Sequence, residues 1–380
     1  MTSTNSIATP RLSVLQGYST NINPNEAVQE LAVQIRQPQS KICLVFFSDE
    51  YDKKKLGKAL QEHLPGLVVG CTTAGQLSSV GFQCGGISGV SFASDELIAV
   101  PYLIHPLSSL VEQIGVIAAD AQDKISRLKL PAFGLLLVDG LSTKEELLTA
   151  ALYRVLGDVP IVGGSAGDML KFQKTFVYHN GELLSDAAIF TLFLTSLPFH
   201  VFKHQHFLPS TTKLVVTEAE PNERLVKEIN GEPAAEAYAR LIGIPVDKLN
   251  GTVFSQNPLM LRIKDDYYVR SIASVEKNGF LKLYCAINAG LVLTIGKGYS
   301  IQEGLEKNLL QVKQQIGEPA VIIGCDCIYR RLEMEAQGID KNIGQLLAQN
   351  KVVGFSTYGE QFNSIHVNQT FTGVAIGGQS

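Results

Sequence analysis

The sequence predicts a mixed α/β (α+β) fold of repeated βαβ-plus-hairpin units forming mixed sheets, with an antiparallel meander inserted before the third unit. Three observations carry this. Residues 68–76, VVGCTTAGQ, residues 161–168, IVGGSAGD, and residues 352–360, VVGFSTYGE, are three writings of one pattern. Each has two β-branched residues, a Gly, a hydroxyl-bearing stretch, a second Gly and a polar or acidic end. Each also follows an apolar run and a helical stretch. The steps from Val45 to Val69, Leu136 to Val162 and Ile322 to Val353 are 24, 26 and 31 residues. A strand, a crossover helix and a parallel strand need about that length.

KICLVFFSDE (41–50) reads as a strand and YDKKKLGKALQEHL (51–64) as a helix. FGLLLVDGLST (133–143) is the next strand. In KEELLTAALYRVLG (144–157), Leu147, Leu148, Ala151, Leu152 and Val155 share a helical face. Thr143 with Glu146 forms a capping box there, and Gly157 is the stop. PAVIIGCDC (319–327) is the third strand, and a helical region ends at IGQLLAQN. GGISGVSFASDELIAV and KTFVYHNGELLSDAAIFTLFL read as hairpins, the second around Asn180-Gly181, and HVNQTFTGVAI as one alternating strand.

The insertion runs from about 200 to 317. LVVTEA and RLVKEI flank a Pro-Asn turn, and Asn230-Gly231 is another turn. PAAEAYARLIG is a helix with Pro at its first position and Gly at its end. LMLRI, YYVRSI, FLKLYCAI and GLVLTI make the four-strand meander. A helix bearing Leu305, Leu309, Val312 and Ile316 leads into the third unit.

The 380 residues, 45% hydrophobic and 18% charged, suffice for two domains and a large core. A net charge of −4 without a basic run argues against duplex DNA or RNA as the main partner. Apolar runs such as FGLLLV are strand-length, and MTSTNSIATPRLSV lacks the apolar core of a secretory signal. Six cysteines, mostly in apolar runs, read as reduced thiols. We expect a soluble cytoplasmic protein.

The repeated pattern falls after a buried parallel strand, where open α/β sheets bind ligands. The first Gly is expected to let the chain turn, and the second to take positive φ or admit a ligand to the backbone. Hydroxyls of Thr72, Thr73, Ser165 and Thr357, with freed N–H groups, suit a small polar or anionic group. Tight turns alone would also account for these residues. No Walker A loop or GxGxxG is present, and GGSAG has the wrong glycine spacing. Ser165 is not in G-x-S-x-G. Asp139, Asp168 and Glu360 fall at strand ends, but no nucleophile–base pair or paired carboxylates accompany them. The expectation is a pocket and not an enzyme.

The ordered set VVGCTTAGQ, IVGGSAGD, LVVTEAEPNERLVKEINGEPAAEAYARLIG, YYVRSI and VVGFSTYGEQFNSIHVNQTFTGVAI resembles the FIST family, from about residue 40 to the end. The resemblance implies an N-terminal extension over 1–37, a FIST N domain over 38–199 and a FIST C domain over 200–380. It implies a ligand sensor of bacterial signal transduction. Free-standing members include haem proteins that sense nitric oxide and act on a partner histidine kinase. Without an attached kinase, cyclase or methyl-acceptor segment, this chain resembles that group. The expectation is therefore non-covalent haem b, a gas ligand and a histidine kinase or other signalling partner. The alternative is a small polar metabolite such as an amino acid, without haem. A homodimer is compatible with either.

Haem needs an apolar cavity, an axial ligand and partners for its propionates. His63 and His179 read as solvated. In PFHVFKHQHFLP (198–209), alternation puts His200, Phe202, His204 and His206 on one strand face. His206 is the first choice as axial ligand to the iron, with His204 beside it and His366 as runner-up. Without C-x-x-C-H, covalent haem is excluded, and Cys325-Asp326-Cys327 lacks the further ligands that zinc requires. Arg330 and Arg331, and Arg262 and Arg270, are candidates for a carboxylate or propionate. Tyr358 and Glu360 match the family pattern. Asp168, Arg270 and Asn368 complete the expected pocket.

Overall fold

The computed structural model describes residues 11–64 and 66–378, so the first ten residues of the expected N-terminal extension lie outside it. Three six-stranded sheets share one strand order. The first runs Ser13–Ser19, Ile87–Ala93, Ile42–Phe47, Val68–Thr72, Val177–His179 and Glu182–Leu184. The second runs Leu97–Ile104, Ala188–Thr195, Ala132–Val138, Ile161–Ser165, Glu360–Phe362 and Ile365–Val367. The third runs Phe199–His204, Phe371–Gly377, Pro319–Cys327, Val352–Thr357, Gln76–Ser78 and Gly81–Gln83. In each, the expected parallel pair is central: Cys43 opposite Val68, Leu135 opposite Val162, Ile322 opposite Val352.

The last two strands of every sheet come from a different repeat. The hairpin after the second motif completes the first sheet, that after the third completes the second, and that after the first completes the third. The three repeats thus exchange hairpins in a closed cycle. Their inner faces meet in one core, where Phe46 stacks on Phe355 at 4.8 Å and Phe133 on Phe193 at 4.8 Å. Helices cover the outer faces: Pro24–Ile35 and Lys53–His63 the first sheet, Leu110–Leu128 and Glu145–Leu156 the second, Ile301–Ile316 and Asp340–Gln349 the third. Sandwiched on both sides, the parallel strands read as unbroken apolar runs.

Several local expectations are corrected. GGISGVSFASDELIAV is not a hairpin: Ile87–Ala93 closes the first sheet, and Leu97–Ile104 begins the second. HVNQTFTGVAI is not one strand: residues 368–370 interrupt it between Ile365–Val367 and Phe371–Gly377. The third crossover contains two helices, Ile328–Gln337 and Asp340–Gln349, which accounts for its longer spacing. Thr143 makes no capping box. It takes φ +56°, Lys144 is the N-cap, and Glu146 turns to other partners. Leu147 is exposed, whereas Gly157 does end that helix. Pro233 is the N-cap of Ala234–Ile242 instead of its first helical residue.

The insertion is not a simple meander. Its eight-stranded sheet is built around the long strand Phe207–Glu220, paired on one side with Val292–Gly298 and on the other with Leu225–Ile229. The edges, Asp266–Arg270 and Ile272–Val275, are consecutive in the chain and joined at Ser271. The sheet therefore curls back on itself around Leu214, Ile229, Tyr238, Phe254, Ile272 and Leu293. That closure aims Ser271 and its neighbours at the cycle of repeats.

Candidate functional site

The three motif copies bond to one another. Ala74 N donates to Ser356 O (3.0 Å) and Ser356 N to Gly75 O (2.7 Å). Ser165 N donates to Gly359 O (2.8 Å), Tyr358 N to Ser165 O (3.1 Å), and Gly167 N to Thr72 O (3.1 Å). The first glycine of each copy does not turn the chain. Gly70, Gly163 and Gly354 lie within strands, where a Cβ would overlap the carbonyl oxygens of Val45, Leu136 and Gly324. Of the second glycines, Gly75 has φ +138°, while a side chain at Gly167 would strike Ala74 and one at Gly359 would strike His366.

The hydroxyls at this ring are buried and turned inward. Thr72 Oγ1 accepts from Phe176 N (3.0 Å), Thr73 Oγ1 from Gly75 N (3.2 Å) and Ser165 Oγ from Gln361 Nε2 (2.9 Å). Thr357 Oγ1 donates to Glu360. The structure places these four hydroxyls in the closure of the cycle, whereas Tyr358 and Asn368 lie on a cavity wall. Fully buried Glu360 also receives Thr370 N (3.1 Å) and Thr370 Oγ1 (2.7 Å), and burial pushes its carboxyl up to about 8.

That wall belongs to a slot between the ring and the insertion, lined by Phe172, Ser271, Tyr284, Cys327, Tyr329, Tyr358 and Asn368. Its free volume, ≈ 10 Å³, suits about one water. It adjoins a cleft of ≈ 190 Å³ that shares Phe172, Tyr284 and Tyr358 and adds Glu145, Glu223, Arg224 and Lys282. Phe172 stacks on Tyr358 at 4.7 Å, and Tyr284 meets Tyr329 edge-on at 5.4 Å.

Phe172 is carried by a strap that leaves the second motif. Met169, Leu170 and Phe172 all have positive φ (55°, 64° and 51°), a conformation that costs non-glycine residues of order 1 kcal/mol or more each. The Asp168 carboxylate holds it, accepting from the backbone N–H groups of Phe172 (2.9 Å), Gln173 (2.6 Å) and Lys174 (3.0 Å). Tyr358 OH donates to Asp168 and accepts from Leu170 N (2.7 Å). Burial works to raise the Asp168 pKa, but the Tyr358 and backbone donors outweigh it and hold the carboxyl below its usual value. Burial and the Asp168 bond push the Tyr358 phenol well up.

Behind the cleft lies a buried charged cluster. Arg224 Nη2 bonds Glu145 at 2.7 Å and Glu146 at 2.8 Å, and Glu146 also accepts from Ala286 N (2.8 Å). Arg270 Nη1 donates to His366 O (2.7 Å), and Ser271 N to Asn368 Oδ1 (3.4 Å). Three polar atoms here are buried without a hydrogen-bond partner: Arg270 Nε, Ser271 Oγ and His366 Nε2. A buried unpaired polar group is costly, so these atoms mark positions where a water or a ligand atom would bond. Burial pushes the nearby Cys285 thiol up to about 11. Arg262 is exposed, paired with Asp265 at 3.6 Å, and lies apart.

His204 and His206 lie away from this site, His206 beneath helix Ile328–Gln337 and His204 against helix Ile301–Ile316. Arginine can only donate, so Arg330 Nη1 makes His206 Nδ1 an acceptor (3.2 Å) and leaves the proton on Nε2, bonded to Glu333 (3.0 Å). Neither nitrogen keeps a lone pair for iron. His204 Nε2 is unpartnered, but its ring packs on Gly304, and burial lowers its pKa to about 2. His366 faces Gly359 beside the narrow slot. In this arrangement the residues do not fit a haem. Arg330 is paired with Asp326 at 2.6 Å, and Arg331 bonds Glu335 (2.9 Å) and the Cys84 sulfur (2.8 Å). His63 and His179, both expected to be solvated, are half-buried. Among the described residues no cluster of His, Cys, Asp or Glu could hold a metal ion.

Phe172, Tyr284, Tyr329, Arg224 and Glu145 escape a reading of the sequence. They lie on a loop, two insertion segments and the starts of two helices, with no shared spacing. Only the pairing of two acids at 145–146 in a first helical turn could have drawn notice.

The FIST N domain model matches residues 41–232 and the FIST C domain model residues 234–363. The uncharacterized protein MJ1623 of Methanocaldococcus jannaschii is 25% identical over 274 residues, covering 68% of this chain and 52% of that protein. The chain thus spans about half the length of this curated relative. A solved structure of PurLQS from Thermotoga maritima aligns with 97% of this chain and 72% of its own at 9% identity, but its TM-score of 0.20 supports no argument. With both domain models matched in order over most of its length, the chain belongs to the FIST family of signal-transduction sensor domains.

Proposed function

We propose that this protein is a sensor that binds a small polar molecule where the cycle of repeats meets the insertion. Occupancy would pass to a partner signalling protein, such as a histidine kinase, by contact. The observation that carries the reading is the set of buried, unpartnered atoms Arg270 Nε, Ser271 Oγ and His366 Nε2 beside a slot walled by four aromatic rings. The strap residues supply the transmission: a ligand entering the slot must displace Phe172, which Asp168 and Tyr358 tie to both halves.

The test is a thermal-shift screen with amino acids and other small polar metabolites. A hit should raise Tm by several degrees at about a hundred times its Kd. Ser271→Ala should abolish that shift while leaving the ligand-free Tm nearly unchanged. Hits that shift Ser271→Ala equally would place the ligand elsewhere and overturn the reading. In the haem version, His206 would exchange Glu333 and Arg330 for iron. A stable Soret band, present in the wild type and absent in His206→Ala, would favour that version instead.

A further inference from the structure

We infer that the cleft beside the slot takes a small organic cation, an alkylammonium with a short hydrogen-bonding tail. This rests on the proposed ligand-binding role and assigns its chemical class. The first ground is the wall itself. Phe172, Tyr284 and Tyr358 line both cavities, and Tyr329 closes the slot behind them. Ring faces attract cations through their quadrupole, most strongly where water is excluded. Elsewhere in this protein that attraction is satisfied internally: lysines lie over Phe176, Tyr268 and Phe280, and Arg331 over Phe82. Among the described residues, none lies over the rings of the cleft.

The second ground is charge. At the inner end, two carboxylates, Glu145 and Glu146, face one guanidinium, Arg224. Arg270 stands in the same buried cluster, so these two carboxylates are balanced by two guanidiniums, and Glu145 is 2% exposed on the cleft wall. Asp168 adds another carboxylate behind Tyr358. Lys282 and Glu223, which also line the cleft, offset each other in charge, the Lys282 ammonium donating to the Glu223 carbonyl, so the excess carboxylate is that of Asp168.

The third ground is size and the unpartnered hydroxyl. At ≈ 190 Å³ the cleft is smaller than the pockets that hold drug-sized molecules, so its ligand has only a handful of heavy atoms. Ser271 Oγ, buried and without a partner, lines the adjoining slot where a ligand hydroxyl or carbonyl would end.

Choline and its neutral isostere 3,3-dimethylbutan-1-ol test the assignment by calorimetric titration of the full chain. Choline should bind at least about tenfold more tightly than the alcohol. Phe172→Ala, at a half-exposed strap position, should weaken choline by about tenfold without preventing folding. Equal affinity for the two probes, no heat from choline at 10-millimolar order, or an unchanged Phe172→Ala would each overturn the inference. If choline fails while the metabolite screen yields Ser271-dependent hits, the sensor reading survives and only the cation assignment falls.

Discussion

Glu360 is the residue whose chemistry departs most from its sequence context. In VVGFSTYGE it looks like a polar strand end, yet it is fully buried against Thr357 and Thr370. Burial raises its pKa from 4.5 to about 8, so the folded protein keeps a proton that the unfolded chain has released. Stability therefore falls as pH rises from about 4.5 through about 8. Glu360→Gln preserves the shape and removes the titration. Relative to wild type, this variant should gain stability across that window, on the order of a few kcal/mol, read as the difference between urea-denaturation curves at successive pH values. Parallel pH profiles for the two proteins would show that Glu360 ionises normally. The motif glycines teach the same lesson at smaller size. Their repetition is visible in the sequence, but the carbonyl of the neighbouring strand, which forbids a Cβ at Gly70, Gly163 and Gly354, is not.

Among the elements, the parallel pairs and their crossover helices were legible because both the apolar runs and the helical faces are written locally. The strap over residues 168–174 was not. MLKFQK contains no Gly, Pro or Asn to announce three positive-φ residues, which persist because Asp168 and Tyr358 over-determine them. Asp168→Ala removes the acceptor for three backbone N–H groups. We expect hydrogen exchange over residues 169–176 to accelerate more than about tenfold, with the central strands unchanged. Uniform acceleration across the chain would mean that the strap is an integral part of the core. The misread hairpin over residues 85–100 has a related cause: a turn between strands says that the chain reverses, not which strands then pair.

At the scale of the whole molecule, hairpin exchange makes the two family-defined parts mutually dependent. Residues 76–83 complete a sheet whose central strands are Pro319–Cys327 and Val352–Thr357, while 360–367 complete the sheet of Ala132–Val138 and Ile161–Ser165. A fragment ending at residue 232 leaves an open edge on the second sheet, a hairpin without its sheet and one face of the shared core uncovered. It should be aggregated or molten by NMR, and co-expression with 233–380 should restore dispersed spectra. A well-dispersed spectrum from the fragment alone would refute this dependence.

The sequence by itself determined the repeat, the parallel pairs, the position of the insertion and the family, because each is written in local periodicity or ordered motifs. Tertiary structure alone decided that the thrice-written loop closes a cycle, with its hydroxyls turned inward instead of toward a ligand. It also decided the site, where Phe172, Tyr284, Tyr329, Arg224 and Ser271 meet from segments spread between residues 172 and 329. Pairing between distant strand edges depends on burial and geometry that no local pattern encodes, and the candidate site lies where those long-range pairings converge.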